Sequence, residues 1–218
     1  MFVAVVPAYN EEKTIGSVVQ SLFAHVDKVI VVDDCSCDNT YKQALTSGAI
    51  VLQHKINRGQ GAALQTGHDY ALQIGADYVL HFDGDNQFCV EDIKPALKKL
   101  KDSGVDILFG SRFLDNRTQL PWFKKYILFP VAKIFNKICG VDLEDTHNGF
   151  RILNKKALEQ ITIEQDRMAH ATEIPAKAKK LGLQYVEFPV KVVYHKFGQG
   201  LGGGFKVARD LVFGKFVK

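Results

Sequence analysis

Val79-Leu-His-Phe-Asp83-Gly-Asp85-Asn-Gln87 sets an apolar run directly before a turn that carries two carboxylates and an amide. An apolar segment of this length, bounded by a turn, reads as a buried parallel strand, and open α/β sheets bind ligands at the carboxyl ends of such strands. Asp83 and Asp85 are two residues apart, so at a strand end both can face one ion. Magnesium and manganese prefer oxygen ligands, and magnesium usually takes only one or two carboxylates from a protein, leaving its other positions to water and phosphate. The stretch therefore predicts an open site for Mg2+ or Mn2+ at Asp83, Asp85 and Gln87, shared with a phosphate-bearing ligand. The same residues also suit a plain Asx turn, so their surroundings must decide.

Working outward, the chain alternates strand and helix signals. Phe2–Val6 is an apolar run broken by Pro7-Ala-Tyr-Asn10, and Asn10 offers a helix cap before Ile15, Val18, Val19, Leu22, Phe23 and Val26 recur at helical spacing. A second strand, Val29–Val32, ends at Asp33-Asp34; Asp38 can cap the next helix, Gly48 can end it, and Ile50–Leu52 supplies a third strand. A Gly-rich turn, Asn57-Arg-Gly-Gln-Gly61, opens a helix to about Ile74, ahead of the strand Tyr78–Phe82. A helix over 91–102 and a strand at Ile107–Phe109 follow. Repeated βα units imply an α/β fold with a mostly parallel central sheet, right-handed crossovers and helices on both faces.

Composition supports one domain. At 218 residues, 46% of them apolar, the chain can build a core for a single α/β domain, expected over residues 1–195, with a Gly-rich segment and basic amphipathic tail over 196–218. The formal charge of +4 is spread among acidic residues rather than gathered in a basic block, which argues against a nucleic-acid partner. Cys35, Cys37, Cys89 and Cys139 form no CxxC pair, so reduced thiols of a cytosolic protein are expected. The opening Met-Phe-Val-Ala-Val-Val-Pro lacks the features of a signal peptide, and no segment is long enough for a membrane span.

In a parallel sheet the strand ends share one edge. Pro7, Tyr9 and Glu11 follow the first strand, Asp33 and Asp34 the second, Asp83 and Asp85 the fourth, and Ser111-Arg112 the fifth, so all converge on one crevice. The acidic groups could hold a base, a ribose or a metal, and Arg112 could hold phosphate by charge-assisted hydrogen bonds. Glu11 suits ordinary helix-start electrostatics as well as a ligand contact, and Asp38 suits helix-start electrostatics better. Arg58, Gly59 and Gly61 fit either close approach of a ligand or an αL turn.

Six ordered stretches carry a family resemblance: Val6-Pro-Ala-Tyr-Asn-Glu-Glu12, Val32-Asp-Asp-Cys-Ser-Cys-Asp-Asn-Thr40, Asn57-Arg-Gly-Gln-Gly-Ala-Ala63, Phe82-Asp-Gly-Asp-Asn-Gln87, Gly110-Ser-Arg112 and Thr146-His-Asn-Gly-Phe-Arg151. Over roughly residues 2–195 the chain resembles the family-2 glycosyltransferases of the GT-A fold, most closely the branch that glycosylates dolichyl or other polyprenyl phosphates. The resemblance implies that Pro7, Tyr9 and Glu11 contact the nucleoside, that Asp34 reads the base, and that Gly61 and Gly84 lie against the nucleotide-sugar. It further implies that Asp83, Asp85 and Gln87 meet the metal and diphosphate, and that Arg112 holds phosphate charge. Arg151 would meet the acceptor phosphate, with a strand-edge salt bridge as its structural alternative, and His195 and Lys196 would add charge. The implied reaction is inverting transfer from a donor of GDP-mannose or UDP-glucose type to a polyprenyl phosphate, with Asp85, Arg112, Arg151 and Asp145 as the catalytic set.

Acceptor chemistry divides the readings. A phosphate is already ionised near neutral pH, whereas a sugar hydroxyl in polysaccharide synthesis would need a general base. Asp145 and Glu173 are the carboxylates available for that duty, and Glu173 just before Pro175 equally suits capping. A non-catalytic nucleotide-sugar-binding subunit is a third reading, opposed by the intact Asp83, Asp85, Gln87 and Arg112. Nucleotidyl transfer is disfavoured because residues 7–12 supply no Gly-rich loop with Arg and Lys. The aromatic and basic stretch 121–137 fits either an interfacial helix pair or core packing, and Phe205–Lys218 repeats its mixture. The glycines of 194–204 suit a lid or a linker. Without a span, the expectation is a cytoplasmic protein, peripheral at the inner face of the membrane or anchored through a partner subunit.

Overall fold

In the computed structural model, which describes residues 1–115, 117–118 and 143–193, apolar runs and helical stripes become β1 (Phe2–Ala8), α1 (Ile15–Leu22), β2 (Lys28–Asp33), α2 (Thr40–Thr46), β3 (Ile50–Gln53), α3 (Gln60–Gln73) and β4 (Tyr78–His81). They continue as α4 (Ile93–Ser103), β5 (Ile107–Ser111), β6 (Arg151–Asn154), α5 (Lys155–Gln160), α6 (His170–Lys180) and β7 (Tyr185–Pro189). One sheet of seven strands holds them together in the order β3-β2-β1-β4-β6-β5-β7. The pairings β1–β2, β1–β4, β2–β3 and β5–β7 are parallel. Among the described strands only β6 runs against its neighbours, β4 and β5.

Both faces of the sheet are buried, and β1 shows why its sequence is continuously apolar. Ala4, Val6 and Ala8 pack on one side with Ile15, Val18 and Val19 of α1 and Ile93 and Leu100 of α4. Val3 and Val5 pack on the other side with Ala63, Leu64 and Ala71 of α3 and Ile174 of α6. A strand covered on both faces has no solvent side to place polar residues on. α3 lies so close to β1 that a Cβ at Gly67 would stand 2.2 Å from Val5 Cγ1.

The expected α/β fold with a mostly parallel sheet is the fold observed, with differences at boundaries and in one strand. β1 runs on to Ala8 because its ladder with β2 continues to the pair Ala8–Asp33. Asn10 does not cap α1. It has φ 57° and its Oδ1 accepts a hydrogen bond from Cys37 N at 2.9 Å, while α1 starts after Thr14. Asp38 does serve the start of α2, accepting from Thr40 N at 2.9 Å. Arg151 opens β6 between β4 and β5, so it stands inside the sheet and not on its edge. Residues 119–142 and 194–218, which include the stretch 121–137, Cys139, His195, Lys196 and the basic tail, lie outside the described residues. Among the described residues no helix is long and apolar enough to cross a membrane, and Cys35, Cys37 and Cys89 are free.

Candidate active site

After β3 the chain returns to add β4 on the other side of β1, and this reversal opens a crevice at the carboxyl ends of β1 and β4. Pro7, Ala8, Tyr9 and Glu11 from β1 and its turn line it together with Asp34, with Asn57, Gly59, Gln60 and Ala63, and with Asp83, Gly84 and Asp85 after β4. The cleft has a volume of about 390 Å³, within the range of small-molecule sites. Seven of the ten residues read as metal or nucleotide-sugar ligands thus meet in it: Pro7, Tyr9, Glu11, Asp34, Asp83, Gly84 and Asp85.

The carboxylates concentrate negative charge. Burial, followed by the charge of Asp85, raises the Asp83 carboxyl to about 7. Glu11 is raised by burial, offset by a hydrogen bond from Thr14 Oγ1 at 2.9 Å, and raised again by Asp85. Asp85 Oδ1 accepts from Gln87 N at 3.1 Å, the Asx turn that these residues also suit. The turn does not exclude a cation site, because Asp85 still lines the cleft together with Asp83. Crowded carboxylates of raised pKa are stabilised by a cation, so the donor set fits a divalent ion. Among the described residues no group of three or more ligating side chains closes around an ion, so water and a diphosphate would complete the shell.

At the β2 end of the cleft Asp34 is buried and heavily used. Its Oδ1 accepts from Arg58 N at 2.9 Å, its Oδ2 from Gly59 N at 2.6 Å, and His54 Nδ1 lies 2.7 Å from Oδ1. Asn57 Nδ2 adds a bond to the Asp34 carbonyl at 3.2 Å. Asp34 thereby clamps the Gly-rich turn while still lining the cleft. Gly59 needs its glycine for φ 98°. Gly61 needs it for a different reason from close approach of a ligand: a Cβ there would stand 1.9 Å from the carbonyl oxygen of Gln165. Gly61 is packed under the 165–166 backbone, whose Asp166 carbonyl accepts from Ala62 N at 3.1 Å.

On the far side, Arg112 and Asp145 form a bidentate pair. Asp145 Oδ2 accepts from Arg112 Nε at 2.6 Å and from Arg112 N at 3.0 Å, and Oδ1 accepts from Nη2 at 2.7 Å. Asn148 Nδ2 adds a fourth donor at 3.4 Å. Glu173 is committed elsewhere, accepting from Glu164 N and Gln165 N at 2.9 Å each and pairing with Lys177 at 2.8 Å. It caps the 164–165 loop.

Arg151 is 1% exposed and lies beneath the cleft. Its Nη2 donates to the carbonyls of Thr146 at 3.1 Å and Ala171 at 3.0 Å, while Nε and Nη1 have no partner among the described residues. Burial lowers it to about 10 against the opposing pull of Asp83 and Asp145. Below it His68 and His81 meet Nε2 to Nε2 at 2.5 Å. Burial, then the charge of Arg151, lowers His68 to about 4. Burial lowers His170 to about 4 as well. Arg151 is thus a buried countercharge to two carboxylates rather than a group presented to an incoming ligand.

Gln60 and His54 were not singled out from the sequence. Their signal was position: an amide on the first residue of a helix after a Gly-rich turn, and a histidine one residue past β3. A family model, Glycosyl transferase family 2, matches residues 3–162. The chain belongs to that family. It is 34% identical to an uncharacterized protein of Methanocaldococcus jannaschii over 97% of this chain and 90% of that one. It is 30% identical, over 98% and 96%, to the UDP-N-acetylglucosamine–dolichyl-phosphate N-acetylglucosaminyltransferase of Methanococcus voltae. With the polyprenol monophosphomannose synthase of Mycolicibacterium smegmatis it shares 24% identity over 96% and 83%. Among solved structures, glucosyl-3-phosphoglycerate synthase from Mycobacterium tuberculosis in complex with Mn2+ and UDP-glucose superposes with a TM-score of 0.75 at 20% identity, covering 97% of this chain and 76% of that one. This family-2 glycosyltransferase therefore has the GT-A fold and relatives named for polyprenyl-phosphate acceptors.

Proposed function

We propose that this glycosyltransferase moves a sugar from a nucleoside diphosphate to the phosphate of a polyprenyl lipid, with inversion at the anomeric carbon and with Mg2+ or Mn2+ at Asp83 and Asp85. The observation that carries the acceptor class is the commitment of Asp145 to Arg112 through three hydrogen bonds. Both carboxylates read as bases for a sugar hydroxyl, Asp145 and Glu173, hold other groups instead. An acceptor that arrives ionised needs neither.

Tyr9, Pro7 and Glu11 face the nucleoside, and the turn clamped by Asp34 closes over it. Asp83 and Asp85, with Gln87 beside them, hold the divalent ion, which when bound neutralises charge on the departing diphosphate. Arg112 contributes positive charge to the phosphates from a side chain fixed by Asp145. A phosphate oxygen of the acceptor forms the new bond to the anomeric carbon as the bond to the donor diphosphate breaks. Arg151, buried below, lends positive charge that partly offsets the burial and the Asp85 charge that raise Asp83.

Relatives named for UDP-N-acetylglucosamine and for monophosphomannose support a sugar nucleotide donor without selecting its base. Contact with the cytoplasmic membrane face, made by the chain itself or through an anchoring subunit, follows from a lipid acceptor. The test is purified protein with Mn2+, a panel of UDP- and GDP-sugars and a polyprenyl phosphate. Lipid-linked sugar phosphate is the expected product. Nucleotide release no greater than from Asp85→Ala would sink the proposal, and product formed only with a glycan hydroxyl would move the acceptor to polysaccharide.

A further inference from the structure

We infer that Gln60 and Gly149 are positioning residues for Asp83, and that Gln60 couples the nucleoside end of the cleft to its metal end. The inference rests on the metal reading of Asp83 and adds to it the residues that set its geometry. Asp83 Oδ1 accepts a hydrogen bond from Gln60 Nε2 at 2.9 Å. Oδ2 rests against the backbone of Gly149, where a Cβ would stand 2.6 Å away, with Cγ and Oδ1 both at 3.1 Å. No real Cβ tolerates that approach to a carboxylate, so any side chain at 149 would turn Asp83 out of its present rotamer. One oxygen is thus held by an amide donor and the other lies against a bare backbone, which leaves the carboxylate a single orientation toward Asp85 and the cleft. Gly149 comes from the Thr146–Arg151 stretch, far from the cleft in sequence, and β6 brings it there by running antiparallel beside β4.

Gln60 is also the residue after Gly59, whose N–H is held by Asp34 at 2.6 Å. One short segment therefore connects the carboxylate that clamps the Gly-rich turn to the carboxylate read as the metal ligand. A neutral amide suits this task, because it orients Asp83 without supplying a positive charge that would compete with a cation. A nucleoside that orders the turn would fix Gln60, and Gln60 would fix Asp83, so donor and metal are expected to bind with positive coupling.

The test is Mn2+ binding, followed by electron paramagnetic resonance, to the wild-type protein, Gln60→Met and Gly149→Ala, each with and without UDP or GDP. Gln60→Met preserves length and helix propensity and removes the donor. A hydrogen bond to a charged group is worth enough that its loss should weaken Mn2+ binding about tenfold, a larger loss than in metal-free nucleotide binding. The enhancement of Mn2+ affinity by nucleotide should shrink in Gln60→Met. Wild-type Mn2+ affinity and coupling in both variants would overturn the inference. If Gly149→Ala fails to fold, Gln60→Met decides alone. Failure of the wild-type protein to bind Mn2+ with either nucleotide is a distinct result that would remove the metal reading and this assignment with it.

Discussion

An arginine held bidentately by a nearly buried carboxylate has lost most of its rotamer freedom, and Arg112 is in that state, with Asp145 3% exposed in its side chain. Asp145→Asn keeps the size and removes the charge. If Asp145 acts through Arg112, kcat/KM should fall by about ten- to a hundredfold, with the pH dependence of kcat unchanged. Loss of the acidic limb of the pH profile would instead make Asp145 a base. His68 gives a prediction on stability. Its folded value of about 4 lies below its ordinary 6.5, so the unfolded chain takes up the proton first as pH falls. The contribution of His68 is complete above about pH 6.5 and is lost progressively toward pH 4. Urea melts should show stability falling over that window, and the slope should be shallower in His68→Gln. At this scale Asp83 and Asp85 were legible as residues of the cleft because they follow an apolar strand that ends at the carboxyl edge of the sheet. The place of Arg151 was not, because its burial depends on which strands flank it.

Among the elements, the glycines of α3 set how closely the helix approaches its neighbours. Gly67→Ala forces a methyl into Val5, a buried side chain of the central strand that has nowhere to move. Overpacking of this kind should cost about 1–3 kcal/mol, read as a lower urea midpoint at unchanged m-value. Gly61→Ala meets backbone instead, at 1.9 Å from the Gln165 carbonyl. It should displace the 164–167 loop and expose it to limited proteolysis before global stability falls. Elements β1 to β5 were readable from the sequence because each apolar run ends in a turn with recognisable chemistry. The direction and place of β6 were not, because Arg151-Ile-Leu-Asn154 has no local feature that distinguishes insertion between β4 and β5 from addition at an edge. Asn10 misled as a cap because Asn also accepts positive φ, and the turn used that property.

For the whole molecule, a ligand that binds only the folded state raises its apparent stability. UDP or GDP with Mn2+ should raise the melting temperature more than either alone, and the better nucleotide identifies the donor base. An equal shift with and without metal would remove the cation from the site. The sequence by itself determined the α/β class, the strand-end turns and the carboxylates Glu11, Asp34, Asp83 and Asp85, since burial periodicity and turn chemistry are local properties of the chain. Tertiary structure alone decided that Asp145 is spent on Arg112, that Arg151 lies under the cleft, that Gly61 serves the 165–166 backbone and that Gln60 and Gly149 frame Asp83. Those roles depend on distances between segments remote in the chain, and such distances are set by how strands are ordered and helices close upon them.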